Sequence, residues 1–326
     1  MKYTHLTTYE REKILRCLAQ KMTIRAIAEH SGRSPSTISR ELSRNRSEDG
    51  FYSPHRADEN YVQRRQACRA PLKLADRELR ALFEGRLKEG WSPEQIVGRL
   101  NLEREGSASV SVPTVYRAFG RGLLFHGAKE CLRRRGKPYR KQKEGNKSGR
   151  GHIRNAVSIS QRPQEVETRE STGHWEGDTV LGRPGSGGIV TLVERRSRYV
   201  LIGKIPDKTS SAVRSAIMSL FAQVKRCAVQ SLTLDNGKEF AWHEKISADH
   251  DGLSIYFAHP GRPGERGTNE NTNGLIRGYL PKGIDFRSLS HEEAKAVQDR
   301  LNDRPRKCIG FLTPNEVFRP FLLHLA

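Results

Sequence analysis

Three acidic residues stand where their surroundings suggest chemistry. Asp178 lies in GHWEGDTVLG, Asp235 in TLDNG, and Glu270 in GERGTNENTNGL, set among Asn269, Asn271 and Asn273. Asparagine is a mediocre helix former, so this clustering points to a polar task rather than to local helix stability. Period-two alternation puts His174, Glu176 and Asp178 on one face of a strand. Asp235 ends a strand, the place where sites form in α/β sheets. Glu270 falls about one turn into a late helix, with Asn273 and Arg277 on its face at i+3 and i+7. Asn269 reads as cap-like at the helix start, and Asn271 points elsewhere. Three carboxylates on separate elements, brought together, can hold two divalent ions ~3.5–4 Å apart. Such a pair activates an attacking oxygen and stabilises the leaving oxygen of an in-line displacement at a phosphodiester. Oxygen ligands suit Mg²⁺ or Mn²⁺. Taken singly, each acid has an ordinary reading: Asp-Asn-Gly is a common turn, and Glu176 and Glu239 read as solvated or supporting carboxylates. The combination carries the weight.

The elements that must position these acids follow from periodicity. GHWEGDTVLG alternates, and GIVTLVERRSRYVLIGKI reads as two apolar strands around the polar turn RRSR. SSAVRSAIMSLFAQVKR is an amphipathic helix, VQSLTLDNG a short strand, HEKISADHDG a shorter helix and LSIYFAHP another strand. The order β-β-β-α-β-α-β-α predicts an α/β domain whose mixed sheet is covered by helices. The tail LNDRPRKCIGFLTPNEVF predicts a helix end, a Pro turn and a final helix capped near Thr313, packed on that domain.

The first half is all-helical. Thr7 or Thr8 caps a helix carrying Ile14, Leu15 and Leu18. A short helix follows from Thr23, then the turn HSGRS, and then a helix with Ser34 as cap and Pro35 in its first position. That helix buries Ile38 and Leu42 and leaves Ser36, Thr37, Arg40 and Arg44 outside. This is the helix-turn-helix layout, with arginines and hydroxyls suited to base edges and phosphates. Arg33 and Ser34 sit at its start. Further helices are predicted in LADRELRALFEGRLKEG and WSPEQIVGRLNLE. In VSVPTVYRAFGRGLL, Thr114 and Arg117 resemble the start of a second recognition helix. Between Arg133 and Arg150 nine Lys or Arg face one Glu, a run that includes Arg134 and Arg135; it reads as a solvated linker able to touch phosphate.

Composition agrees with that division. Among 326 residues, 1–150 hold 33 Lys/Arg against 17 Asp/Glu, and the remainder 25 against 20. A basic half joined to a near-balanced half suggests a polyanion-binding region beside a domain with another task. No apolar run is long enough to span a membrane, and the N-terminus lacks the apolar core of a signal peptide. The five cysteines (17, 68, 131, 227, 308) form no CxxC pair and read as reduced, mostly buried thiols of a cytosolic protein.

GHWEGDTVLG, VTLVERRSRY, TLDNGKEF, RGTNENTNGLIRGYLPKGIDF, LNDRPRKCIGFLTPNEVF and GRSPSTISREL together resemble the insertion sequence 30 family of transposases. The resemblance spans nearly the whole chain. It implies a ribonuclease-H-like catalytic core of the Asp-Asp-Glu type, with Asp178, Asp235 and Glu270 as the catalytic and metal-binding acids of two Mg²⁺ or Mn²⁺ ions. It also implies double-stranded DNA as partner, both terminal inverted repeats and target. End cleavage and strand transfer would proceed through a circular element, carried out in the bacterial cytoplasm by a homodimer or larger multimer that needs no membrane or small-molecule substrate. The expected organisation is a helix-turn-helix domain at 1–50, a second helical DNA-binding domain at 51–128, a basic linker at 129–165 and the catalytic domain at 166–326. Asn273 and Arg277 would face the DNA. The competing readings are an inactive DNA-binding regulator on the same scaffold and a metal-dependent nuclease without strand transfer. Two departures stand out: HPGRPGERG replaces an aromatic-rich DPYSPWQRG-like loop, and the Asp235-to-Glu270 interval is one residue longer than usual. The lost aromatics are expected to change how the loop packs or grips DNA.

Overall fold

A computed structural model of the chain describes residues 4–68, 72–104, 110–133 and 153–323. Contacts divide it into two units, Met1–Leu72 and Lys73–Ala326. In the first, Thr7 caps helix α1 (Thr8–Ala19), and the Glu10 carboxylate returns to the Thr7 amide. Helix α2 (Ile24–Ser31) ends on Gly32, whose φ of 62° closes the left-handed turn before α3 (Pro35–Asn45). Ile14, Ile27, Ile38 and Leu42 form the core, which also takes Tyr52 and Ala57. Those last two bring helix α4 (Pro54–Ala67) into this unit, so it continues past the boundary at residue 50 expected from sequence. Buried Arg11 ties three helices together, with Glu41 of α3 at 2.8 Å and Asp58 of α4 at 2.6 Å.

The second unit begins with helices α5 (Arg77–Lys88), α6 (Pro93–Glu103) and α7 (Val112–Gly120) around Phe83, Leu87, Trp91, Ile96 and Val115. These helices are tied to the C-terminal part of the same unit. Arg99 makes a two-pronged pair with Glu316 at 2.7 and 2.8 Å, and Gln95 donates to the Pro305 carbonyl. Residues 153–165, expected to be linker, also join the core: Ile153 is buried in it and the Phe257 amide donates to the Val157 carbonyl.

After helix α8 (Gln164–Thr168) come strands β1 (His174–Leu181), β2 (Gly188–Glu194) and β3 (Val200–Ile205), helix α9 (Ser210–Phe221), β4 (Ser231–Leu234), helix α10 (His243–Asp249) and β5 (Ser254–Phe257). Helices α11 (Gly267–Tyr279), α12 (His291–Asn302) and α13 (Pro314–Phe318) complete the unit. The order in the sheet is β3-β2-β1-β4-β5, antiparallel on the β3 side and parallel on the β5 side. β1 is thus the central strand, and its alternation assigns each face. Trp175 packs with α9 and with Phe318 of α13, while Val180 packs with Leu275, Ile276 and Leu301 of α11 and α12. The tail therefore docks on the sheet and its helices as its apolar residues require, with Phe318 stacked on Tyr199.

Gly177 shows how tightly β1 is placed. A Cβ there would lie 2.7 Å from a Leu234 methyl and 3.3 Å from methyls of Leu192 and Leu232. Gly177→Ala is expected to cost about 1–3 kcal/mol by overpacking, read as a lower urea midpoint of this unit. An unchanged midpoint would mean that the sheet yields at this point.

Of the cysteines, Cys17 is buried, but Cys68, Cys227 and Cys308 are exposed. The expectation of mostly buried thiols fails there, because local sequence does not tell which side of an element faces solvent. No described helix is long and apolar enough to cross a membrane.

Candidate active site

β1 presents Glu176 and Asp178 toward α11, and the Asn-rich opening of that helix answers them. Glu176 is fully buried. Its Oε1 accepts from Arg195 at 2.6 Å and its Oε2 from the Asn269 backbone amide at 2.9 Å. The Asn269 side chain donates back to the Glu176 carbonyl, and the Asn273 side chain donates to Asp178 Oδ2 at 2.9 Å. The Thr191 hydroxyl, opposite Asp178 in β2, lies 3.2 Å from both amide oxygens. Asn271 faces away and accepts from Arg133. The helix residue Thr268 accepts from Arg198 at 2.6 Å. Asn269 is thus no side-chain cap. The helix starts two residues earlier, and a carboxylate from another strand satisfies one of its orphan amides.

Behind Glu176, Arg195 also pairs with Glu167 at 3.0 Å and donates to the Val166 carbonyl. Glu167 pairs in addition with Arg162, which donates to Thr233 of β4. Glu239 is buried too, accepting from Thr179 at 3.0 Å and Lys208 at 2.9 Å. The sequence alone reads Glu176 and Glu239 as supporting or solvated and does not single out Arg195 and Arg162. Only the period-two pairing of Glu176 with Asp178 hints at a shared role.

Asp178 and Asp235 meet at one side chain. Arg266, between the turn 263–266 and α11, places Nη1 3.8 Å from Asp178 Oδ1 and Nη2 3.5 Å from Asp235 Oδ2, while Nη1 donates to the Gly177 carbonyl at 3.0 Å. Burial pushes the Asp178 carboxyl above the usual carboxylate range and Asp235 adds to that, against the pull of Arg266 and of the Thr179 amide. The loop before Arg266 is clasped from within by His259. Glu265 accepts from both the amide and Nδ1 of His259, and His259 Nε2 lies 3.1 Å from the Ser160 hydroxyl. Glu270 stands on the exposed side of α11, with no hydrogen bond or ion pair among the described residues. No group of three His, Cys, Asp or Glu among the described residues is close enough to hold a metal. Two of the three acids are therefore brought together and the third stays apart. The pair, oxygen-only and already facing a cation, fits a hard divalent ion.

Comparison with known proteins bears on this geometry. A helix-turn-helix domain profile matches residues 2–45, and an integrase core domain profile matches residues 168–263. The chain is 39% identical to the transposase of insertion sequence element IS4351 from Bacteroides fragilis, over 98% of this chain and 96% of that protein. It is 40% identical to the transposase InsI of IS30A from Escherichia coli K12, over 96% of this chain and 83% of that one. The chain belongs to the insertion sequence 30 family of transposases. Its mixed-sheet unit is the ribonuclease-H-like integrase core of such a transposase. Among solved structures, the catalytic core domain of BIV integrase matches with 22% identity and a TM-score of 0.36, covering 46% of this chain and 95% of that one.

The transposase places its expected DNA-contact residues unevenly. Ser36, Arg40 and Arg44 are exposed along α3, and Thr37 is half-buried beside them. Ser34 is spent as the α3 cap, its hydroxyl accepting from the Thr37 amide. Arg33 turns back, pairing with Glu10 at 2.7 Å and donating to Thr4; its guanidinium holds the Glu10 carboxyl down to about 2. Arg117 is exposed on α7, whereas the Thr114 hydroxyl pairs with that of Ser111. Arg277 is half-buried and donates to the Leu181 carbonyl at 2.7 Å, and half-buried Asn273 donates to Asp178 Oδ2. Arg133 binds Asn271, and Arg134 and Arg135 lie outside the described residues.

Proposed function

We propose that this transposase binds the terminal inverted repeats of its element and nicks and joins their ends by metal-dependent in-line phosphoryl transfer. The reading extends to a homodimer or higher multimer, a circular intermediate and a cytoplasmic setting. The observation that carries it is the meeting of Asp178 and Asp235 at the Arg266 guanidinium, in a unit that contains the integrase core. Asp178 and Asp235 would hold Mg²⁺ or Mn²⁺, with Glu270 as the further ligand. Bound there, the ions supply activation of the attacking oxygen and neutralisation at the leaving oxygen. The chain's own part is positioning. Asn273 fixes the rotamer of Asp178, and buried Glu176, itself held by Arg195, binds Asn269 and so ties α11 to β1, leaving little reorganisation for the moment of reaction.

DNA is gripped by residues other than the carboxylates. Ser36, Arg40 and Arg44 of α3 are assigned to the repeat, with Arg117 of α7 and the basic segment after Arg133 as further phosphate contacts. Arg40→Ala and Arg44→Ala are each expected to weaken repeat binding by about 1–3 kcal/mol if the arginine reads a base, with relaxed sequence preference. A phosphate contact would instead lower the salt slope by about one. Fluorescence anisotropy over a salt series on repeat and scrambled duplexes tells the two apart.

The deciding experiment incubates the full-length protein with Mg²⁺ and a donor duplex carrying the element's terminal repeats. Nicked and joined products are expected. Nicking without joining would replace the transposase reading by a nuclease, and repeat binding without either product would leave a DNA-binding regulator.

A further inference from the structure

The guanidinium of Arg266 stands between the two carboxylates that a divalent ion would need, and it is anchored from behind by the Gly177 carbonyl at 3.0 Å. Its side chain is 14% exposed, so it belongs to the site rather than to the solvated surface. The residue before it, Glu265, is clasped twice by His259, which fixes where the Arg266 backbone leaves the turn.

Two comparisons within the molecule decide how firmly it is held. Arg195 meets buried Glu176 at 2.6 Å with both side chains at 3% exposure or less. Such a pair is not broken without leaving a bare charge inside. Arg266 lies 3.8 and 3.5 Å from its aspartates, beyond the roughly 2.7–2.9 Å of a tight charge-assisted bond. Both carboxylates also keep about a fifth of their side-chain surface open. The first arrangement is a permanent strut and the second a loose counter-ion. A guanidinium brings one delocalised charge to two carboxylates, whereas a divalent ion brings two charges at direct coordination distance, ~2.0–2.1 Å for Mg²⁺. Both cations cannot occupy the space between the same oxygens.

Resting on the metal-dependent reading above, we propose that Arg266 and the divalent ion are alternative counter-ions for Asp178 and Asp235. Arg266 keeps the two acids together while the protein is without DNA and ion, and it is displaced when the ion enters. It is a positioning residue. It sets the concentration of ion at which the site loads.

The test is calorimetric titration of the full-length protein with MnCl₂ in the absence of DNA. Arg266→Gln is expected to bind Mn²⁺ about tenfold more tightly than wild type, corresponding to ~1.4 kcal/mol of removed competition. Arg266→Lys, which keeps the charge, is expected to stay within about threefold of wild type. Unchanged or weaker Mn²⁺ binding by Arg266→Gln overturns the inference while leaving the metal site intact. The double variant Asp178→Asn/Asp235→Asn is the control. If it binds Mn²⁺ as wild type does, the metal reading itself fails, and this inference with it. Should Arg266→Gln not fold, the Arg266 Nε–H resonance of the wild-type protein, identified by its loss in Arg266→Lys, gives a second reading. Addition of Mg²⁺ is expected to shift it and speed its exchange with water. A resonance unmoved at saturating Mg²⁺ overturns the proposal.

Discussion

Asp178→Asn and Asp235→Asn are each expected to remove nicking and joining together, by ~10³-fold or more, while repeat binding measured without Mg²⁺ stays within a factor of two of wild type. A loss of that size is ~4 kcal/mol of transition-state stabilisation. The reason is electrostatic. Asparagine keeps the shape of the side chain, and at Asp178 it can still accept from Asn273 through its carbonyl oxygen. What it removes is the negative charge that, on the proposed reading, would draw a divalent ion to the pair. Glu270→Gln is expected to share the loss despite the exposed position of Glu270 on α11. Quantified gel bands from a repeat-bearing donor duplex, in Mg²⁺ and in Mn²⁺, provide the measurement. Wild-type joining by Glu270→Gln would remove Glu270 from the ligand set and leave the site to the two aspartates and another donor.

The second large effect falls on stability. Glu176→Ala is expected to destabilise the unit beginning at Lys73 by about 3–5 kcal/mol, because it leaves the Arg195 guanidinium buried against one remaining carboxylate. That carboxylate, Glu167, is 58% exposed and cannot make up the loss. The same substitution strips the Asn269 amide of its acceptor, at about 1 kcal/mol for a lost cap. Urea unfolding followed by tryptophan fluorescence reports this unit, since Trp91, Trp175 and Trp242 all lie within it. Glu176→Gln keeps an oxygen for that amide and should fall between alanine and wild type. A Glu176→Ala stability within 1 kcal/mol of wild type would show that α11 is held without the Glu176 carboxylate.

Much of the fold is legible along the chain. Alternation marks β1, apolar runs around the turn RRSR mark β2 and β3, and the caps at Thr7, Ser34 and Thr313 mark helix starts that the structure contains. These signals are local: a cap or a pleat is satisfied within a few residues of itself. The family motifs reach further and name the three acids. The domain boundary does not fall at residue 50, because Tyr52 and Ala57 are buried by α1 and α3 and no residue near them announces it. Arg33 and Arg277 read as outward cations because a turn or a helical face does not show a long side chain's partner. Glu10 and the Leu181 carbonyl claim them only once the chain is folded.

The three asparagines draw the line between the two kinds of information. Sequence alone determined that 269–273 serves a polar task, that Glu270 belongs to a helix, and that Asp178 lies on a strand and Asp235 at the end of another in a mixed sheet. Tertiary structure alone decided that Asn269 locks onto Glu176, that Asn273 holds Asp178, and that Asn271 reaches Arg133. It also decided that Arg266 stands between the two aspartates. Periodicity reports which face a residue occupies. Which polar group meets which across 89 or 95 positions of chain depends on how strands and helices stack, and that is settled by packing the whole core at once.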